Sequence, residues 1–249
     1  MAESLRLEIP STIIIDPASV AGSEPAATRP RLMRGPKVLR FRRSERLLHW
    51  ALAIPFLVCY ASAITLFVLQ TQAPDAPLRP ILSWGHRLSG LCLICFPLIA
   101  VFRSKGDLRI HFYNIGQAWI WTLSDIRWLL LAGAAAVSKH VSLPEQGKFN
   151  AAEKLNFMVL MTMYPLYILT GLTIWVTHNA FISWILHMGM ALIGSPLVLG
   201  HIYMAAINPS SRVGLQGMIS GFVDRQWAKH HYRQWFHENF KSTATIQAI

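Results

Sequence analysis

The stretch Phe181–Ile207 reads FISWILHMGMALIGSPLVLGHIYMAAI and holds no Asp, Glu, Lys or Arg. A helix needs about 20 apolar residues to cross the hydrocarbon core of a bilayer, so this run predicts a membrane span. Two ring side chains interrupt its apolar character: His187 and His201. They are 14 positions apart, which on an α-helix is roughly 21 Å of rise and nearly four whole turns. Both rings therefore leave the same face of one helix at two depths. Ionisable side chains inside a membrane are costly and mark function.

Three further runs read the same way: residues 47–69, 81–102 and 155–176. The expectation is an all-α membrane protein, a bundle of four transmembrane helices over residues 41–208. Pro55, Pro97, Pro165 and Pro196 fall inside the runs. Membrane helices tolerate proline, because neighbouring groups re-satisfy the freed backbone. The totals agree: 53% of the 249 residues are hydrophobic and 14% charged, against roughly 25% charged in a soluble domain. Residues 115–137 form a fifth apolar candidate with Trp119, Trp121 and Trp128, but Asp125 and Arg127 sit near its middle. A charge at the bilayer centre costs roughly 2.5–3.5 kcal/mol. The stretch reads instead as a helix lying at the interface, within an interfacial cytoplasmic segment 103–154. Residues 1–40, rich in Pro, Ala, Ser and Arg, read as a mobile arm without a signal peptide. Residues 209–249 form a basic tail.

The net charge of +11 is sorted by membrane side. Basic residues crowd before the first span (Arg29 to Arg46), between the second and third (Arg103 to Lys154) and after the fourth (Arg212 to Lys241). The opposite side has only Arg79 and Arg87. The positive-inside rule then puts both termini in the cytoplasm. Charge distributed in this way does not form the single basic face that nucleic acid requires.

With that topology each histidine acquires a depth. His49 opens span one and His201 closes span four, both near the cytoplasmic face. His86 opens span two and His187 opens span four, both near the outer face. Imidazole suits iron, and helix bundles hold haem through axial ligands on facing helices. The four read as ligands of two stacked haems: an inner pair, His49 and His201, and an outer pair, His86 and His187. Any one alone reads more plainly as an interfacial polar group; four at matching depths do not. His178 reads as a loop residue, and His111, His140, His230, His231 and His237 as solvated or headgroup-facing. Arg87 either snorkels to the interface or pairs with a haem propionate. Trp50, Trp84, Trp175 and Trp184 suit an aromatic belt.

Five motifs carry a family resemblance. They are Arg46-Leu-Leu-His49-Trp50, Gly147-Lys-Phe-Asn150-Ala-Ala-Glu-Lys154, His201-Ile-Tyr-Met-Ala205, Gly217-Met-Ile-Ser-Gly221 and Trp227-Ala-Lys-His-His231. From about Arg42 to Glu238 the chain resembles the cytochrome b (gamma) subunit of membrane-bound formate dehydrogenases. The resemblance implies two haem b groups on His49, His86, His187 and His201, in a bacterial inner membrane. It implies that the outer haem takes electrons from an iron–sulfur subunit serving a molybdenum- or tungsten-containing catalytic subunit. It also implies that the inner haem passes them to menaquinone or ubiquinone. The family's quinone pocket lies beside the inner ligand of the fourth span, here His201, and includes Asn150, whose amide can hydrogen-bond a quinone oxygen. Asn150 reads equally as a helix cap, with Glu153 three residues on. Ala152 stands where the family often has Gly, and the arm at 1–40 is a second departure. The tail suits anionic lipid headgroups or a partner assembly.

Cys59, Cys92 and Cys95 lie in apolar runs and read as small fillers. Cys92 and Cys95 have CxxC spacing, but Phe96 follows where c-type haem attachment needs His. No hydrolytic constellation or nucleotide loop is visible, so the sequence offers electron transfer and a quinone reduction site, with no substrate-oxidising site of its own. Two rivals stand beside this reading. One is the same cytochrome serving a hydrogenase or a thiosulfate or polysulfide reductase. The other is a haem-free anchor or transporter, against which the paired histidine depths weigh.

Overall fold

The structure is a computed structural model that describes residues 36–104, 107–138, 140–178 and 180–240. In chain order its elements are β1 (Lys37–Leu39), α1 (Arg43–Gln72), α2 (Leu78–Arg103), α3 (Leu108–Trp119), α4 (Leu123–Val137), α5 (Ala151–Thr177) and α6 (Phe181–Ile202). A π-helical turn (Tyr203–Ile207), α7 (Val213–Ser220), β2 (Phe222–Asp224), α8 (Arg225–His231) and α9 (Arg233–Phe240) follow. Among the described residues four helices are long and apolar enough to span a membrane: α1, α2, α5, and α6 with its π-helical turn. These are the four runs read from the sequence, the first three continued into their polar ends and the fourth with the same bounds. The chain divides into two compact units, residues 43–108 with 160–199, and residues 36–42, 109–159 and 200–240.

The first unit holds α1, α2 and most of α5 and α6. Without a hydrophobic driving force between helices in lipid, packing and interhelical hydrogen bonds must hold such a bundle. Ser89 of α2 donates to the carbonyl of Pro55 in α1 at 3.0 Å. Tyr164 of α5 donates to the Leu93 carbonyl of α2. Tyr60 of α1 meets Ser195 of α6 at 2.6 Å, and Ser195 spends its own proton on the Ala191 carbonyl. Beyond the first turn each of these helices holds one proline: Pro55, Pro97, Pro165 and Pro196. α5 ends at His178, whose φ of 57° is left-handed, a common way to stop a helix; this histidine lies in the α5–α6 turn.

The second unit has its own apolar core: Val38, Val213, Val223, Ala228, Tyr232, Trp235 and Phe236, with Trp227 and Phe240 against it. β1 and β2 pair antiparallel, Val38 opposite Val223. A Cβ on Gly217 would come within 2.7 Å of a Val223 methyl and 3.2 Å of the Phe41 ring. Gly221, at φ 95°, closes α7 with its N–H on the Gly217 carbonyl. Its own carbonyl accepts from the N–H groups of Arg40 and Phe41. The tail is thus a folded element as far as residue 240. The last residues of the N-terminal arm, 36–40, join it, while residues 1–35 lie outside the described part.

The stretch 115–137 is not one helix. α3 and α4 are bent by 70° at their junction. Thr122 adopts an extended conformation there and caps α4 in a reciprocal box with Asp125. Asp125 also accepts from Lys154 Nζ at 2.9 and 3.0 Å, and Lys154 donates a third bond to the Ile120 carbonyl. The charge that argued against a fifth span is a helix cap and half of a buried ion pair. By length and composition alone the bent pair would also pass as a broken span.

Candidate haem site

His86 and His187 belong to the same unit, and their ring centroids are 6.3 Å apart with planes at 76°. An iron bonded at ~2.0 Å to one nitrogen of each imidazole, with ring centres about 1.1 Å behind, needs roughly 6.2 Å. Rotation of the two rings about their common axis leaves that distance unchanged. The spacing therefore fits two axial ligands of one iron.

The other ring nitrogen of each histidine is already engaged. His86 Nδ1 lies 3.0 Å from the Cys59 carbonyl and 3.0 Å from Ser62 Oγ. Ser62 donates to the Val58 carbonyl at 2.7 Å, so toward His86 it is an acceptor. His187 Nδ1 lies 2.9 Å from Thr170 Oγ1, which spends its proton on the Leu166 carbonyl at 2.6 Å. Both Nδ1 atoms must then carry the proton, and both Nε2 lone pairs remain for a metal. A ligand histidine is usually oriented and made more basic in this way. The hydroxyls exist because Ser and Thr in an apolar helix bond back to carbonyls one turn earlier.

Gly171 completes the seat. A Cβ there would lie 3.3 Å from His187 Cε1 and 3.7 Å from Nδ1. Tyr167 meets the same ring edge-on at 5.6 Å. One turn beyond His86, a Cβ on Gly90 would meet nothing within 4 Å. Ser62, Thr170 and Gly171 were not identified from the sequence; the available signal was small hydroxylated and Gly residues at histidine depth on neighbouring spans. Arg87 lies over Trp84 and Trp175, 5.4 and 5.8 Å from their ring centres, so its cation is partnered by the belt. Replacing Thr170 with Val should remove the acceptor while keeping the shape. We expect about tenfold faster haem release, measured by transfer to an excess of haem-free globin. Unchanged release would rule the hydroxyl out as a support.

His49 opens α1 in the same unit, its ring edge-on to Trp50 at 5.3 Å. His201 belongs to the second unit, in the last turn of α6 directly before the π-helical turn. Such turns are frequent at functional sites. Glu153 is within electrostatic reach of His201. Asn150 is the cap of α5: its Oδ1 accepts from the Glu153 N–H, and its own N–H donates to Glu153, both at 2.9 Å. The cap reading of Asn150 is therefore realised, and its Nδ2 is the end left to serve a ligand.

Paired imidazoles on facing spans are the ligand set of a membrane-bound cytochrome b. Residues 40–221 match the family model described as prokaryotic cytochrome b561, and the chain belongs to that family. It is similar to the cytochrome b556(Fdn) subunit of the nitrate-inducible formate dehydrogenase of Escherichia coli K12. The two are 28% identical over 222 residues, covering 83% of this chain and 94% of that protein. The formate dehydrogenase cytochrome b556 subunit of Haemophilus influenzae is 26% identical, covering 83% and 85%. A putative cytochrome of E. coli K12, YdhU, is 24% identical, covering 76% and 75%. Membership of a cytochrome b family implies haem b.

Proposed function

We propose that this chain is the dihaem cytochrome b subunit of a formate dehydrogenase complex, carrying electrons from an iron–sulfur partner across the bacterial inner membrane to quinone. The observation that carries it is the outer pair, His86 and His187, held at iron-ligand spacing with both Nδ1 protons fixed. The second haem rests on the depth of His49 and His201 along their spans, and the formate partner on the names of the relatives. Haem supplies reversible one-electron chemistry when bound. The protein's part is to hold each ring, exclude water and present quinone at the cytoplasmic end, beside His201 and Asn150. The balance is formate to carbon dioxide, one proton and two electrons on a molybdenum- or tungsten-containing partner, then quinone with two electrons and two protons to quinol.

The basic residues support cytoplasmic termini, with α3 and α4 at the interface, the exposed Leu123 and Leu130 of α4 meeting lipid. A fluorescent protein fused after residue 249 should glow only if that end is cytoplasmic. The function is tested in membranes containing the chain and its neighbouring gene products. Formate should reduce the b haem spectrum, and deletion of the catalytic partner should abolish this while dithionite still reduces it. Reduction by hydrogen or thiosulfate-type donors instead of formate would transfer the protein to another complex; no haem spectrum at all would leave the anchor or transporter reading.

A further inference from the structure

Asn150 is fixed end for end, because its Oδ1 is held by the Glu153 N–H at 2.9 Å. One Glu153 oxygen returns the bond to the Asn150 N–H. That reciprocal box is complete as a helix cap, yet the second Glu153 oxygen is taken as well. It accepts from the Tyr232 hydroxyl at 2.6 Å, from a residue in the tail. A phenol donating to a carboxylate at this length is among the strong hydrogen bonds.

Tyr232 is itself immobilised. Only 6% of it is exposed, and its N–H is bonded to the Ala228 carbonyl. The Arg40 guanidinium lies 3.9 Å from its ring centre and donates to the Lys148 carbonyl, two residues before Asn150. On the same loop, Gln146 accepts from the Ala151 N–H through its side chain and from the Gln234 N–H through its carbonyl. The loop before α5 is thus gripped by the arm's last residue and by the tail.

We propose that Tyr232 is a positioning residue for the quinone site, holding Glu153 so that the Asn150 amide presents Nδ2 to a quinone oxygen. This rests on the reading of Asn150 as a quinone contact. Tyr232→Phe deletes one oxygen and keeps the buried ring. Glu153→Gln retains an acceptor for Tyr232 and loses the one for Asn150 when so oriented.

The test uses the purified full-length chain with its haems, menadiol as reductant, and haem absorbance followed by stopped flow. The concentration dependence gives an apparent affinity and a limiting rate. For Tyr232→Phe we expect affinity weakened about five- to tenfold, with haem content and limiting rate little changed. Glu153→Gln should weaken it similarly. Asn150→Ala should weaken it at least as much. Wild-type affinity in Tyr232→Phe alongside a loss in Asn150→Ala overturns the positioning role and leaves the site. Wild-type affinity in Asn150→Ala as well removes the quinone assignment and the positioning role with it. A lost haem spectrum in Tyr232→Phe, with Glu153→Gln behaving as wild type, marks Tyr232 as purely structural.

Discussion

If the chain carries the two haems proposed above, replacing His187 with alanine is expected to remove one and leave the other. His86 alone would then face the outer iron, and a single imidazole with no partner holds a b-type haem poorly, since no covalent bond to the macrocycle exists. The rest of the outer seat, Thr170 and Gly171, acts only through the His187 ring and gives no substitute ligand. His201→Ala should show the complementary loss if His201, in the last turn of α6, is the inner ligand proposed above. Pyridine haemochrome per chain should fall from about two to about one in each variant, with different parts of the reduced spectrum lost. Content unchanged in both would end the ligand assignment. A wild type with one haem, lost only in His187→Ala, would reduce the protein to its outer site.

Lys154→Met should be the most destabilising single change in the second unit. Lys154 and Asp125 form a salt bridge at 2.9 Å, with side chains only 11% and 5% exposed. Removing the cation leaves a carboxylate that burial has cut off from water, at a cost of about 3–5 kcal/mol. The double variant with Asp125→Asn should recover much of that loss, since no buried charge is left uncompensated. Thermal unfolding in detergent, followed by tryptophan fluorescence, reads both. Equal stability of wild type and Lys154→Met would show the pair to be solvated. The pair has a pH signature. Burial pushes the Asp125 carboxyl up, but the bonds from Lys154 and Thr122 outweigh it and hold it below the usual carboxylate range. A depressed carboxyl contributes stability above its unfolded value of ~3.9 and loses it as pH falls through the folded one. The acid limb of stability should therefore flatten in the double variant, and the alkaline limb should not.

The spans were legible because a bilayer demands a long apolar run, and among the described residues only the bent α3–α4 pair comes near to supplying another. That His86 and His187 come near each other was legible for a related reason: helices of alternating direction convert residue number into depth. Asn150 as a cap followed from Asn and Glu at a three-residue spacing. The tail's fold was not legible. Its strands are three residues long, too short for an alternating pattern to register, and Val223 finds its partner Val38 far away in sequence. The Asp125–Lys154 pair was hidden likewise, since hydropathy weighs each charge alone and a capping box reports only its own turn. The break at Thr122 is written in a Thr-x-x-Asp spacing that the three tryptophans overshadowed.

The pairing of β1 with β2 also sets a timetable for biogenesis. A ribosome making this chain releases residues 37–39 early, but their partner strand at 222–224 emerges only after every span has been made. Arg40 waits equally long for Tyr232 and Trp235. Each membrane helix can enter the bilayer as it appears, whereas the second unit closes only once residues 222–235 have been made. A nascent chain stalled before residue 222 would be inserted yet unfinished, with Val38 and Phe41 bare to chaperones and proteases. A short hydrophobic strand at residues 37–39 thus disappears from view only once residues 222–224 have been synthesised.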